Sequence, residues 1–182
     1  MADVSELMQA QYRGDRETVE RLLAAEPALD IFEAAALGDA ERLRELVDGD
    51  PPVVGAWSSD GAQPLHFAAF FGHPDACRLL IERGADVDRH ARGFNGVAPI
   101  NSAAAIDPSS REASIECVRI LLDAGADPNA RQGGGATALH TAAMIGSREM
   151  ARLLVDRGGD PDAAMDDGRT PRTIAPHLFE SQ

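Results

Sequence analysis

The strongest constraint in this sequence is a unit too small to fold alone. Residues 62–88, AQPLHFAAFFGHPDACRLLIERGADVD, read as a turn, a short helix, a glycine break, a second helix and another turn. Pro64 stands where a first helical residue tolerates proline, because its missing N–H has no intrahelical partner there. Leu65, Ala68 and Ala69 give one small apolar face at helical spacing, and Leu79, Leu80 and Ile81 give the next. Gly72 and Gly84 close the two helices, Gly84 as a residue that takes positive φ without strain. Two short helices expose most of the apolar surface they present, so the unit requires neighbours of its own kind.

It has them. QPLHFAAFFG aligns with APINSAAAI (98–106), TALHTAAMIG (137–146) and TPRTIA (170–175). The closure Gly84-Ala85-Asp86 returns as Gly125-Ala126-Asp127 and Gly158-Gly159-Asp160. The glycines that open the units fall at 61, 96, 135 and 168, in steps of 35, 39 and 33. This pattern resembles the ankyrin repeat, with its T-P-L-H-x-A start and its period of about 33 residues. The long first step is localised between Gly84 and Gly96. The longer second step comes from Asp107-Pro108-Ser109-Ser110-Arg111-Glu112, inserted between the two helices of its repeat. Both irregularities are expected at loops.

Two weaker pairs precede these units. Gly14-Asp15-Arg16-Glu17 matches Gly38-Asp39-Ala40-Glu41 at an offset of 24, too short for a full unit with a projecting turn. Residues 3–30 are therefore expected to be an N-terminal capping pair whose polar outer face carries Glu6, Gln9, Arg16, Glu17 and Glu20. Residues 31–60 form a divergent repeat ending in a finger in which Pro51 and Pro52 forbid regular helix. Then come repeats at 61–95, 96–134 (with the inserted loop 107–112) and 135–167, and a truncated C-terminal cap at 168–182. The expected fold is all-α, one solenoid of stacked helix-turn-helix pairs with projecting β-turn fingers over residues 1–182. Thr137 is placed to cap its helix, whereas Gln63 and Ala98 are weaker caps.

Composition narrows the function. A net charge of −13 disfavours a nucleic-acid backbone or an anionic membrane; it serves first to keep a monomer soluble, and the sharper reading is a protein partner with a basic surface. All basic residues are arginine, which reflects a GC-rich genome more than a function. The start of the chain lacks a basic segment followed by an apolar run, and no stretch is apolar enough to span a bilayer, so a cytoplasmic monomer is the expectation. Cys77 and Cys117 lie on the second helices of adjacent repeats and are expected as reduced, buried thiols.

Catalytic chemistry finds no support. His66 and His140 hold the same position two repeats apart, too distant to share a metal. By the resemblance, each bonds to backbone and to the neighbouring threonine position. No H-E-x-x-H or C-x-x-C spacing is present, Gly133-Gly134-Gly135 lacks a following lysine, and the aspartates of the closures read as turn formers. Neither cofactor nor metal is expected, and the chain is read as no enzyme. The resemblance implies instead a noncatalytic module that binds a protein through a concave groove and its fingers. The residue pair before each mid-repeat glycine should face that groove: Ala36 and Leu37, Phe70 and Phe71, Ala105 and Ile106, Met144 and Ile145; the competing reading, as strong for Phe70 and Phe71, is that some of them pack between repeats. The fingers add Trp57, Arg89, His90, Arg92, Phe94 and Arg131, the residue types common at interface centres. The alternative is an accessory or regulatory subunit of an enzyme or larger complex; a metal-binding protein or hydrolase has less behind it.

Overall fold

The computed structural model describes residues 5–105 and 111–180. Helices α1 (Glu6–Arg13) and α2 (Arg16–Leu23) form the first pair, α3 (Ile31–Leu37) and α4 (Ala40–Gly49) the second, and α5 (Pro64–Phe70) and α6 (Pro74–Glu82) the third. Then follow α7 (Pro99–Ala104) with α8 (Arg111–Asp123), α9 (Ala138–Met144) with α10 (Arg148–Asp156), and the single turn α11 (Pro171–Ile174). Side-chain caps begin several of them. Asp30 accepts from Phe32 and Glu33 while Glu33 reaches back to the Asp30 N–H, and Asp15, Asp39 and Ser147 cap α2, α4 and α10.

First helices stack on first helices and second on second. Leu65, Ile100 and Leu139 from the first layer meet Leu43, Leu80, Leu121 and Leu154 from the second, all essentially free of solvent. Alanine pairs such as Ala68-Ala69 and Ala103-Ala104 let the first helices approach closely. The turns are tighter still. Gly38 has φ 71°, and a Cβ there would stand 2.5 Å from the His73 ring of the next repeat. Only glycine fits both the conformation and the gap.

In α5, α7 and α9 the third residue of the helix joins successive repeats. His66 Nδ1 accepts the Gln63 N–H at 3.2 Å, and its Nε2 donates to the Val97 carbonyl of the following finger at 3.2 Å. His140 Nδ1 accepts from Thr137 at 3.1 Å while Nε2 reaches Arg169 O at 3.4 Å. Asn101 performs the same task with an amide: Oδ1 accepts from Ala98 at 3.0 Å and Nδ2 donates to Ala130 O at 3.1 Å. The weak caps expected at Gln63 and Ala98 are thus compensated from inside the helix. The Thr137 hydroxyl lies 3.0 Å from His140 Nδ1, so its partner is the ring that serves the helix start.

A backbone bond spans the base of each finger: Ser58 N–H to Ala62, Ala91 to Val97, Gln132 to Ala136 and Met165 to Arg169. The second finger spans two residues more than the others, which accounts for the lengthened first step. The prolines of the first finger open a 3₁₀ turn, Pro51–Gly55, where their lack of N–H costs nothing. The closure aspartates form turns, as with Asp127 accepting from Asn129 at 2.8 Å, and they also tie repeats together: Asp88 accepts from Asp127 and Asn129 from Asp160. Arg111 and Glu112, expected in the inserted loop, are the first residues of α8; Ile106 and the rest of the insert lie outside the described residues. The thiols of Cys77 and Cys117 are buried and free, with their sulfurs 3.8 Å apart. No helix among the described residues is long and apolar enough to cross a membrane.

Three outcomes are expected. His140→Ala leaves a buried N–H and carbonyl unpaired and costs about 1–3 kcal/mol per group, whereas His140→Asn recovers most of it, as Asn101 already does. Burial holds the pKa of His66 and His140 below the ordinary value, although the carbonyls they bond oppose this. The unfolded chain takes up protons near pH 6.5 while the folded rings stay neutral, so stability is full above about pH 6.5 and falls as pH drops below it. Urea unfolding of the wild type and both variants at several pH values checks this, and His140→Asn should show the smaller acid loss. Hydrogen bonding to Cys117 and burial raise the Cys77 thiol well above its usual value. A colorimetric thiol reagent should therefore react slowly with the native protein and promptly once it is unfolded.

Candidate functional site

A pocket lies between the first helices and the fingers. α5 contributes His66, Phe67 and Phe70, α7 contributes Asn101 and Ser102, and Ala105 follows it. The fingers supply Ala62, Phe94, Val97 and Gln132, and Tyr12 of α1 closes one end. The pocket encloses about 300 Å³ and is lined almost wholly by apolar surface. His66 and Asn101 already have both hydrogen-bonding ends occupied in the repeat joint. The wall is therefore rigid, and contact with the pocket is governed by apolar shape.

Phe94 stands at its mouth for a local reason. The two extra residues of the second finger put Phe94 at φ 49° and Asn95 at φ 58°, both in the left-handed region. For a bulky residue this costs roughly 1–2 kcal/mol, yet the ring remains 47% exposed. A non-glycine residue held in that conformation is a functional pointer. Beside it, the Arg92 guanidinium lies 4.0 Å from the centre of the Trp57 ring, so the half-buried indole lies under a cation and not free at a turn tip.

The two phenylalanines before Gly72 divide. Phe70 is 42% exposed, while Phe71 is half-buried and packed on the core. Their rings meet edge to face at 5.0 Å, and Tyr12 joins them at 6.2 Å from Phe70 and 5.6 Å from Phe71. The Tyr12 hydroxyl donates to Asp60 of the first finger at 3.3 Å, so α1 reaches past α3 to the third repeat. Tyr12 is the residue that the sequence reading missed. It is the single tyrosine, on a helix that reads as polar, and no spacing rule marks it.

Other expected site residues are dispersed. Met144 and Ile145 are exposed at the end of α9, two repeats from Phe71. Leu37 is half-buried against the core, and Ala36 is fully buried with its carbonyl accepting from Gln11 and His73. The stripe expected across the mid-repeat pairs is therefore interrupted at the second pair, because the alanine faces the neighbouring helices. Arg89 pairs with Asp86 at 2.9 Å, and His90 Nδ1 donates to Gly96 O at 2.6 Å. Arg131 donates to Ala164 O at 2.9 Å, with Asp166 3.9 Å away. These three are tied into the finger row itself. Among the described residues, no cluster of three or more His, Cys, Asp or Glu is placed to hold a metal.

A model of three ankyrin repeats matches residues 7–91, and a model of multiple ankyrin repeats matches residues 100–155. The chain belongs to the ankyrin-repeat family. Ankyrin repeats are generally protein–protein interaction modules and typically noncatalytic. Over 142 residues, 74% of its length, this ankyrin-repeat chain is 31% identical to the mouse (Mus musculus) ankyrin repeat and SAM domain-containing protein 6. It is 32% identical over 139 residues, 75% of its length, to the E3 ubiquitin-protein ligase KEG of Arabidopsis thaliana, and 30% identical over 136 residues, 69% of its length, to the palmitoyltransferase Hip14 of Drosophila melanogaster. It spans only 15%, 8% and 20% of those proteins' own lengths, so the similarity is to repeat segments of longer proteins, some of them enzymes.

The lone tyrosine makes the α1–finger contact directly measurable. Burial, with the Asp60 carboxylate beside it, pushes the Tyr12 hydroxyl well above its usual value. Phenolate absorbance should therefore stay low at about pH 10, where a free tyrosine is half ionised. Asp60→Asn removes the negative neighbour and should bring the titration down.

Proposed function

We propose that this ankyrin-repeat chain is a noncatalytic module that grips a segment of another protein between its first helices and its fingers. The observation that carries the reading is Phe94, displayed in a strained conformation by a lengthened finger at the mouth of an apolar pocket. Phe70, Met144 and Ile145 extend exposed apolar surface along the ends of the first helices, and exposed apolar surface of this kind marks interaction sites. Trp57 under Arg92 adds an anchor of the kind enriched at interface centres. Leu37, Phe71, Arg89, His90, Ile106 and Arg131 complete the proposed surface. A standard interface needs about 800 Å² from each partner, a size that several first helices and fingers supply together. The acidic excess of the chain favours a partner segment with basic residues flanking an apolar anchor.

In this reading the N-terminal pair is a cap that also contributes Tyr12 to the pocket wall. A second reading is an accessory module serving a catalytic unit. It is favoured by the matches to repeat segments of a ubiquitin ligase and a palmitoyltransferase, in which such repeats accompany catalytic machinery.

Affinity capture from native extract tests the groove. A protein captured by the wild type should be lost with Phe70→Arg and with Phe94→Asp, and retained with Arg119→Glu on the opposite layer. Its mixing with the purified chain should also shift the fluorescence of Trp57, the single tryptophan. Retention of the partner at full strength by both groove variants rules the groove out as its binding surface.

A further inference from the structure

The second helices repeat a charge and apolar code, and on the last of them the outward code positions are exposed. Counted back from the closing glycines Gly84, Gly125 and Gly158, the same positions hold Asp75, Glu116 and Glu149, then Arg78, Arg119 and Arg152, then Leu79, Ile120 and Leu153, and last Ile81, Leu122 and Val155. Between α6 and α8 the code is read out directly. Arg78 Nη2 bonds Glu116 at 2.5 Å, and Ile81 lines the same joint as Ile120. Between α8 and α10 the code's arginine, Arg119, bonds Glu116 of its own helix at 3.3 Å; the pair between the helices is Asp123 with Arg157 at 2.6 Å, and Leu122 is 9% exposed.

On the outer side of α10 the equivalent residues are open. Arg152 is 83% exposed and meets Asp156 of its own helix at 3.9 Å, outside hydrogen-bonding distance. Val155, the counterpart of Leu122, is 38% exposed. Both line a cavity of about 510 Å³ whose other wall is Leu178 and Phe179, partly buried against the core. The neighbouring arginines are engaged: Arg172 holds Asp162 through two bonds of 2.7 and 2.9 Å, and Arg148 donates to the His177 carbonyl at 2.8 Å.

We infer that this face of α10 is a second docking site, for an amphipathic helix of a partner protein that presents a carboxylate to Arg152 and, four residues later, an aliphatic side chain to Val155. The α6–α8 joint is the template for both contacts, with Glu116 and Ile120 as the matching pair. A second copy of this chain is not the fitting occupant. The second helices that carry the acid–aliphatic pair, α6, α8 and α10, already lie within the stack. On α2, Glu17 is followed four residues later by Arg21, which would put a cation against the apolar position.

The probe is a fluorescent peptide of residues 111–124 with Cys117→Ser, locked as a helix by a staple on its outer side, since a free peptide of this length is marginally helical. Anisotropy titration against the full chain should show saturable binding, weakened about fivefold by Arg152→Glu and also weakened by Val155→Asp. Binding to Arg152→Glu should return when the peptide carries Glu116→Arg. Phe70→Arg should leave it unchanged, which separates this site from the groove. Equal binding by wild type and Arg152→Glu, no saturable binding at millimolar chain, or loss with Phe70→Arg would each overturn the proposal. Circular dichroism of the variants shows that the fold is intact in each arm.

Discussion

The bond that the central stack depends on is the one made by the third residue of α5, α7 and α9. One end of His66, Asn101 or His140 accepts the N–H just before its own helix, and the other end donates to a carbonyl of the next finger. These groups are buried, so a missing partner would be costly, and each side chain satisfies two at once. The result is a fixed distance between a helix start and the finger that follows. Once that distance is set, the leucines of the two helical layers meet in register, and the closure aspartates can reach from one repeat to the next. Imidazole and carboxamide are interchangeable here because each offers an acceptor and a donor at opposite ends of a short planar group.

Rigidity at that joint explains how one finger can bear strain. The second finger holds two residues beyond the others between its closing bonds, and they are accommodated by left-handed backbone at Phe94 and Asn95. The surrounding fingers and helix starts are held by many small bonds, so the irregular segment cannot relax without losing them. An aromatic ring is displayed as a consequence, over a pocket whose polar members are already paired. The framework and the proposed binding surface are thus two uses of the same residues: His66 and Asn101 join the repeats with their polar ends and wall the pocket with their sides.

The charges divide in a comparable way. Those on the second helices run as pairs from repeat to repeat, Arg83 with Asp48, Arg78 with Glu116 and Arg157 with Asp123. Exposed pairs contribute little stability each, and their regular spacing specifies which helix follows which. Arg152 holds the position of Arg78 and Arg119 and meets Asp156 of its own helix, as Arg119 meets Glu116.

The sequence by itself determined the repeat, the helix boundaries near Gly72, Gly84 and Gly146, the location of the first irregular step, and the structural work of His66 and His140. Those follow from local rules: glycine at positive φ, proline at a first turn, apolar residues at helical spacing. It also placed Phe70, Met144 and Ile145 at exposed helix ends, by carrying one position across the units. Tertiary structure alone decided three things. It buried Ala36 between neighbouring helices, where the same register had suggested a groove. It moved Tyr12 past an intervening repeat to Asp60 and the phenylalanine pair, a contact across 48 residues that no local spacing encodes. And it made Asn101 equivalent to histidine, because what matters at that position is a donor and an acceptor at the right separation, which becomes visible once the next finger is in place.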